Sequence, residues 1–175
     1  RAAPLLHPLT PDQGLTQGSV RDMLLDQQGF LWLATDSGLN RFDSNKVVQL
    51  RSSQYRLKEL SFGKIIEDSE GRIWAAASDA GIYRYDPQTG FFELFMPLPR
   101  TSEQERPPRL VDITEYDANT LLFSMNDSLY RLPLDTAIPE KLFNLSESTG
   151  INGGWLRTLL VDEQQIFIGA FNGLI

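Results

Sequence analysis

Residues 26–43 read Asp26-Gln-Gln-Gly29-Phe-Leu-Trp32-Leu-Ala-Thr-Asp-Ser-Gly38-Leu-Asn-Arg41-Phe-Asp43. The same order of residues returns at Asp68-Ser-Glu-Gly71-Arg-Ile-Trp74 and continues at Gly81-Ile-Tyr-Arg84-Tyr-Asp86. The second copy begins 42 residues after the first, and its second half is shifted by one further residue. Agreement at this many positions indicates an internal repeat, which must be recognised before any fold is considered.

Two further copies follow with fewer of the shared residues. The third, at residues 111–132, keeps the strand pattern and Arg131 but lacks the Trp and both glycines. The fourth begins at Leu156, has Phe167 in the Trp position, and reaches the end of the sequence in its third strand. The repeats therefore lie at about residues 17–50, 60–96, 109–145 and 155–175, and the last is incomplete.

Each copy predicts four short β-strands. In the first copy these are residues 21–25, 30–35, 39–42 and 47–50, separated by Asp-x-x-Gly, Asp-Ser-Gly and Asp-Ser-Asn turns. Four strands in each repeat of about 42 to 48 residues is the period of a β-propeller, and a helical periodicity of about 3.6 residues is absent. The predicted fold is all-β, with about four four-stranded antiparallel blades in an incomplete, open arc, and residues 1–175 form the N-terminal part of a larger propeller.

The repeated residues are predicted to be structural. Asp hydrogen-bonds to its own following backbone, and Gly accepts the positive φ of a tight hairpin turn. A Trp in the second strand fills the wedge between neighbouring sheets. This structural signature comprises Asp26, Gly29, Trp32, Gly38, Arg41, Asp68, Gly71, Trp74, Gly81 and Arg84.

Composition excludes several classes of function. The net charge is −7 with acidic and basic residues interspersed, which argues against a nucleic-acid partner. There is no cysteine, and His7 is the only histidine, so we expect no metal site and no Ser-His-Asp triad. No apolar stretch approaches the roughly 18 residues of a membrane span. We expect no catalytic residues and no cofactor.

The motif resembles the two-component regulator propeller repeat. Residues 29–43 match that family nearly position by position, residues 71–86 match it well, and the weaker copies extend the resemblance over residues 20–175. Members of this family are typically large Gram-negative receptors. Their periplasmic propellers are joined by a membrane helix to a histidine kinase or a GGDEF-type diguanylate cyclase. The resemblance implies that this chain is the periplasmic sensor part of such a receptor, anchored in the inner membrane.

The leading hypothesis for function is a non-catalytic sensor that binds a small ligand, such as an oligosaccharide. The candidate ligand contacts are Arg21 and Arg157, which share one repeat position in the first strand. Another repeated cation, at Arg41, Arg84 and Arg131, suggests either a basic ring for anionic sugars or, preferably, ion pairs between blades.

Two other classes of function stay open. One is a scaffold that recognises a partner protein through its loops. The other is a carbohydrate-cleaving enzyme, which needs two carboxylates roughly 5–10 Å apart. The acidic residues on or near first strands are Asp22, Glu67, Asp112 and Glu115.

An open arc also makes a prediction about association. Its end faces expose apolar blade surface and strand edges, which the remaining blades of a propeller or a second copy of the chain can cover.

Overall fold

The computed structural model describes residues 9–16, 18–43, 45–53, 56–99, 108–150, 154–163, 165–171 and 173–175. Within these ranges the chain forms four antiparallel sheets, each built from consecutive strands. The predicted all-β propeller fold is confirmed. His7, which the sequence places in a Pro-rich leading segment, lies outside the described residues.

In the part of the chain that the structure describes, blades 1, 2 and 3 have four strands each, and blade 4 has three. Blade 1 comprises β1 (Val20–Leu25), β2 (Leu31–Thr35), β3 (Gly38–Phe42) and β4 (Val47–Gln49). Blade 2 comprises β5 (Phe62–Glu67), β6 (Ile73–Ala77), β7 (Gly81–Asp86) and β8 (Phe91–Pro97). Blade 3 comprises β9 (Leu110–Asp117), β10 (Thr120–Met125), β11 (Ser128–Pro133) and β12 (Glu140–Asn144). Blade 4 comprises β13 (Leu156–Asp162), β14 (Gln165–Ala170) and β15 (Gly173–Leu174).

The first strands pack side by side, β1 on β5, β5 on β9 and β9 on β13. In the described ranges no extensive contact joins β13 back to β1, so the four blades form an open arc. On the outer face of blade 1, Met23 and Leu25 are exposed, and on that of blade 4, Leu160 is exposed. Because the four first strands pack side by side, they line the inner side of the arc. The two end faces of the arc, on blades 1 and 4, carry exposed apolar side chains.

Short helical elements that the repeat pattern did not predict lie outside the strands. Helix α1 (Leu145–Thr149) follows blade 3, a 3-10 turn at Leu57–Glu59 lies between blades 1 and 2, and another at Pro11–Gln13 precedes blade 1. The side chain of Asn144 caps α1 by accepting a hydrogen bond from the Glu147 amide at 2.9 Å. A single capped turn has too few residues to produce a helical periodicity, so the sequence pattern could not reveal it.

Among the described residues, the hydrophobic core forms three clusters, one at each junction between blades. Trp32 of blade 1 is 2% exposed and makes edge-to-face contacts with Tyr85 and Phe92 of blade 2. Trp74 is fully buried against Ile113 and other apolar residues of blade 3. The third junction, between blades 3 and 4, has Leu122 at the position of the missing Trp. Both tryptophans are therefore interblade packing residues.

Trp32 and Trp74 are each hydrogen-bonded to the Asp of their own Asp-x-x-Gly turn. The Trp32 indole N–H donates to Asp26 Oδ2 at 2.7 Å, and the Trp74 indole N–H donates to Asp68 Oδ2 at 2.7 Å. The other carboxylate oxygen accepts two backbone amides within the turn, Gln28 and Phe30 in blade 1. One carboxylate thus closes the turn and satisfies the buried indole. The repeat pattern predicts a structural role for each of the two residues, but not the hydrogen bond that joins them.

Removal of this carboxylate should destabilise the fold. In Asp68→Ala, the buried Trp74 indole and the turn amides lose their acceptor, and an unsatisfied buried donor costs about 1–3 kcal/mol. We expect the free energy of unfolding, measured by urea titration, to fall by more than about 2 kcal/mol. Glu70→Ala, an exposed change in the same turn, should alter it by less than about 0.5 kcal/mol. Equal effects of the two variants would contradict this role for Asp68.

Substitutions at two glycines can distinguish the cost of backbone strain from the cost of steric overlap. Gly29 and Gly81 both have positive φ, of 88° and 143°. A Cβ at Gly29 meets open space, whereas a Cβ at Gly81 overlaps the carbonyl oxygen of Met96 on β8. Gly29→Ala should therefore cost only the backbone strain, about 1 kcal/mol, and Gly81→Ala should cost clearly more in the same urea titration. A smaller loss for Gly81→Ala would rule out the close approach of β8.

Candidate functional site at the channel mouth

Each first strand contains the same β-bulge. Its pairing with the second strand skips one residue, between Val20 and Asp22 in β1 and at the equivalent points of β5, β9 and β13. The skipped residues are Arg21, Gly63, Val111 and Arg157. A bulge removes a residue from the regular alternation of faces and re-aims its side chain. At this point of the repeat, each blade thus has one re-aimed residue.

The four bulge residues line one cavity of about 640 Å³. The rest of its wall comes from the beginning of the first strands and from the turns between the second and third strands. These further residues are Ser61, Ser78, Arg109, Leu110, Trp155 and Phe171. We call this cavity the channel mouth. Because all four blades contribute to it, the channel mouth depends on the packing of the blades against one another.

The blade 1 side of the channel mouth carries an ion pair. Arg21 donates two hydrogen bonds to Asp36, Nε to Oδ1 at 2.7 Å and Nη2 to Oδ2 at 2.9 Å, and Ser61 Oγ donates to Oδ1 at 3.1 Å. These bonds hold the pKa of Asp36 below its ordinary value, while the Asp36 carboxylate raises the pKa of Arg21. Arg21 is therefore oriented, and its charge is largely matched by that of Asp36.

The blade 3 and 4 side carries cations stacked on aromatic rings. The Arg157 guanidinium lies 5.9 Å from the centre of the Phe171 ring, and the Arg109 guanidinium lies 6.0 Å from that of Trp155. Phe171 is 71% exposed, which is unusual for so large an apolar side chain. This side of the channel mouth combines positive charge with accessible ring surface.

The blade 2 part of the channel mouth is open. Ser61, Gly63 and Ser78 have the smallest side chains around the rim, and a Cβ on Gly63 makes only ordinary contacts, 3.7 Å from Ser78 Oγ. This gap between the two arginine-bearing sides gives the cavity its volume.

Charge is distributed unevenly between the channel mouth and the rest of the chain. Three arginines line the cavity, and the one carboxylate described beside them is Asp36. The chain as a whole has a net charge of −7. A local excess of positive charge on an acidic protein attracts anions to this site.

The structure brings the two predicted ligand contacts together. Arg21 and Arg157 both occupy bulge positions and both line the channel mouth. Sequence reasoning missed Arg109, Trp155 and Phe171 because these residues have no counterpart of the same type in the other blades. Their signal was positional, since Arg109 and Trp155 each precede the bulge residue of their own blade by two.

The repeated arginines on the third strands lie elsewhere. The Arg41 guanidinium stacks 4.5 Å from the Phe30 ring and donates to Tyr85 Oη of blade 2 at 3.3 Å. The Arg84 guanidinium stacks on Phe95 and Trp74. The expected ion pairs between blades were wrong, because the flat guanidinium is held by aromatic rings.

Arg131 departs from that arrangement. It pairs with Glu140 of its own blade at 3.5 Å. The neighbouring Leu122, which stands where blades 1 and 2 have Trp, offers no ring on which a guanidinium could stack.

The four acidic residues considered for catalysis bind backbone amides of adjacent blades. Asp22 accepts from the Ile65 amide at 3.0 Å. In the same way, Asp112 accepts from the Leu159 amide (2.7 Å), Glu67 from the Gln27 amide (3.0 Å) and Glu115 from the Ser69 amide (2.9 Å). These carboxylates join the blades, and none of them lines the channel mouth.

Desolvation by burial raises the pKa of the Asp112 carboxyl. The amide of Leu159 opposes this shift by donating a hydrogen bond to the charged form. Asp112 is thus a buried interblade acceptor, with only 4% of its surface exposed.

Comparison with known proteins agrees with this architecture. A family model described as two component regulator propeller matches residues 14–37, which include β1 and β2 with the Asp26–Trp32 pair. No curated protein sequence matches the chain. No helix in the described ranges is long and apolar enough to cross a membrane.

Several solved structures share the fold. The extracellular domain of BT4673 from B. thetaiotaomicron, named as a hybrid two component system, has a TM-score of 0.71 and 21% identity over 89% of this chain and 20% of its own. That of BT3049, from the same organism, has a TM-score of 0.69 and 22% identity over 93% and 23%. Virginiamycin B lyase from Staphylococcus aureus has a TM-score of 0.65 and 16% identity over 93% and 51%.

The fold and the shared cavity define an open β-propeller arc with a basic, aromatic mouth on its inner side. The chain spans about a fifth of the length of the two B. thetaiotaomicron domains. Part of its first blade, residues 14–37, matches the model of the two component regulator propeller family, which the sequence motif resembles.

The ion pair at the channel mouth is testable by pH titration. Because the pKa of Asp36 is lowered in the fold, the pair stabilises the protein above the ordinary carboxyl pKa, and this contribution disappears as the pH falls through the lowered value. In Arg21→Gln, carboxyl NMR should show the pKa of Asp36 rising toward its ordinary value. Arg157→Gln should leave it nearly unchanged. An unaltered Asp36 pKa in Arg21→Gln would exclude the pair.

Proposed function

We propose that this chain is a non-catalytic, extracytoplasmic ligand-binding propeller of a membrane-bound bacterial signalling receptor, and that the channel mouth is its binding site. The observation that carries the proposal is the bulge repeated in every first strand, which directs Arg21 and Arg157 into one cavity. The cavity volume of about 640 Å³ falls within the range of small-molecule sites, roughly 300–1,000 Å³.

The assignment to a receptor rests on the family repeat and on the solved relatives. The repeat is described as a two component regulator propeller, and the two B. thetaiotaomicron domains are extracellular. Under this proposal the parent protein places the propeller in the periplasm and carries a histidine kinase or a diguanylate cyclase beyond a membrane helix. The remaining blades of the parent propeller are then partners of this arc.

The use of the carboxylates supports a non-catalytic role. A retaining or inverting glycosidase needs two carboxyl groups facing one substrate. Asp22, Glu67, Asp112 and Glu115 each accept an interblade hydrogen bond from a backbone amide instead. Asp36 lies near the cavity, but it is bound by Arg21 and its pKa is lowered, which is opposite to the shift that a general acid requires.

The mechanism follows from the shared lining of the site. A ligand in the channel mouth contacts several blades at once, so it favours the arrangement of blades that fits it best. A ligand can shift such an equilibrium only by its difference in affinity for the two arrangements. We propose that this shift is passed to the membrane helices of the receptor.

The alternative function is a scaffold that binds a partner protein. The observation that favours it is Phe171, which is 71% exposed at the channel mouth. Aromatic side chains, Phe among them, are enriched at protein–protein interfaces relative to the rest of the surface.

Gly63 provides a direct test of the site. Gly63→Trp should fill the open part of the channel mouth, whereas Gly63→Ala should fit, because a Cβ there makes only ordinary contacts. We expect a panel of neutral and acidic oligosaccharides, amino acids and small metabolites to include a compound that raises the midpoint of thermal unfolding saturably. The shift should persist in Gly63→Ala and disappear in Gly63→Trp.

Two results would contradict the proposal, and each contradicts a different part of it. A saturable shift that Gly63→Trp leaves intact moves the site away from the channel mouth. No shift with any compound of the panel contradicts small-ligand sensing and favours the partner-protein alternative.

A further inference from the structure

We infer that the ligand of the channel mouth is a short acidic oligosaccharide, which places its carboxylate or sulfate group on Arg109 and Arg157 and a sugar ring on Phe171. This inference rests on the proposed function and deepens it. The observations that carry it are the unequal engagement of the three arginines, the exposed ring beside Arg157, and the hydroxyl groups across the cavity.

The three arginines are not equally available to an anion. Arg21 is engaged by both oxygens of Asp36. The contacts described for the Arg109 and Arg157 guanidinium groups are with aromatic faces, at 6.0 and 5.9 Å. Stacking leaves the edge of a guanidinium, which carries its N–H donors, accessible to a second partner. The blade 3 and 4 side of the channel mouth is therefore the anion-binding side.

Charge alone would also suit a phosphate or a simple carboxylate, but the rest of the cavity suits a sugar. The Phe171 ring is exposed beside Arg157, and aromatic faces provide flat apolar surface for the C–H face of a pyranose. On the blade 2 side, Ser78 has a hydroxyl that can exchange hydrogen bonds with sugar hydroxyls, and Ser61 Oγ, which donates its hydrogen to Asp36, can accept one. An acidic oligosaccharide uses both sides, whereas an inorganic anion uses one.

The carboxylate of Asp36 should lower the affinity of the channel mouth for an anionic ligand. It lies beside the cavity and repels an anionic ligand, while it neutralises Arg21. Asp36→Asn removes this repulsion and frees the Arg21 charge. The affinity for an acidic ligand should then increase, about two- to fivefold for one unit charge at a solvated distance of several ångströms. The affinity for a neutral ligand should stay unchanged.

The experiment is calorimetric titration of the full chain with three probes: trigalacturonate, which carries carboxylates, an unsaturated chondroitin sulfate disaccharide, which carries sulfate, and neutral maltotriose. We expect at least one acidic probe to bind, with an affinity that falls as salt is raised. Arg157→Gln should weaken that binding about tenfold or more. Arg131→Gln, which removes a similar charge paired with Glu140 outside the site, should leave it unchanged.

The outcomes separate this inference from the proposed function. The better acidic probe identifies whether carboxylate or sulfate is preferred. If maltotriose binds as tightly as the acids and Gly63→Trp abolishes its binding, the channel mouth is a ligand site but the acidic class is wrong. Acid binding that is unaffected by both Arg157→Gln and Asp36→Asn also overturns the inference. If no probe binds at any salt concentration, the inference is wrong, while the broader compound panel still decides the proposed function.

Discussion

The hydrogen bond from a buried indole to the aspartate of its own turn is the contact on which this architecture depends. A Trp fills the wedge between two blades only if its N–H has a partner, since an unsatisfied buried donor is costly. Asp26 and Asp68 supply that partner and also hold the hairpin turn between the first and second strands. The next blade then binds the same turn, because Glu67 accepts a hydrogen bond from the Gln27 amide.

In each blade, the bulge position of the first strand can vary in side chain without a change in the fold. The backbone of every first strand bulges at the same point, so the fold is satisfied whichever side chain occupies the bulge. Blade 1 places Arg21 there, blade 2 places Gly63, and blade 4 places Arg157. Their differences produce a cavity with an ion pair on one side, a gap in the middle and a cationic, aromatic wall on the other. A ligand that spans this cavity touches several blades, which is the requirement for sensing through their arrangement.

The predictions that succeeded relied on residues that repeat. Trp32 and Trp74 recur with their turns, so the all-β class, the strands of the first blade and the interblade position of the tryptophans followed from periodicity. The predicted interblade ion pairs of the third-strand arginines failed because charge alone does not identify a partner. Arg41 is surrounded by rings that come from its own blade and the next. Which rings meet a guanidinium depends on how two blades pack.

Periodicity and turn chemistry were sufficient to establish the propeller, because each repeat folds by local hairpin rules that can be read along the chain. They also singled out Arg21 and Arg157 as equivalent positions. Only the tertiary structure decided that these positions are bulges and that they open into one cavity. It also paired Arg21 with Asp36 and brought Arg109, Trp155 and Phe171 to the same rim. The reason is that a bulge and a contact between blades depend on strands and sheets meeting in space, which the order of residues within one repeat does not specify.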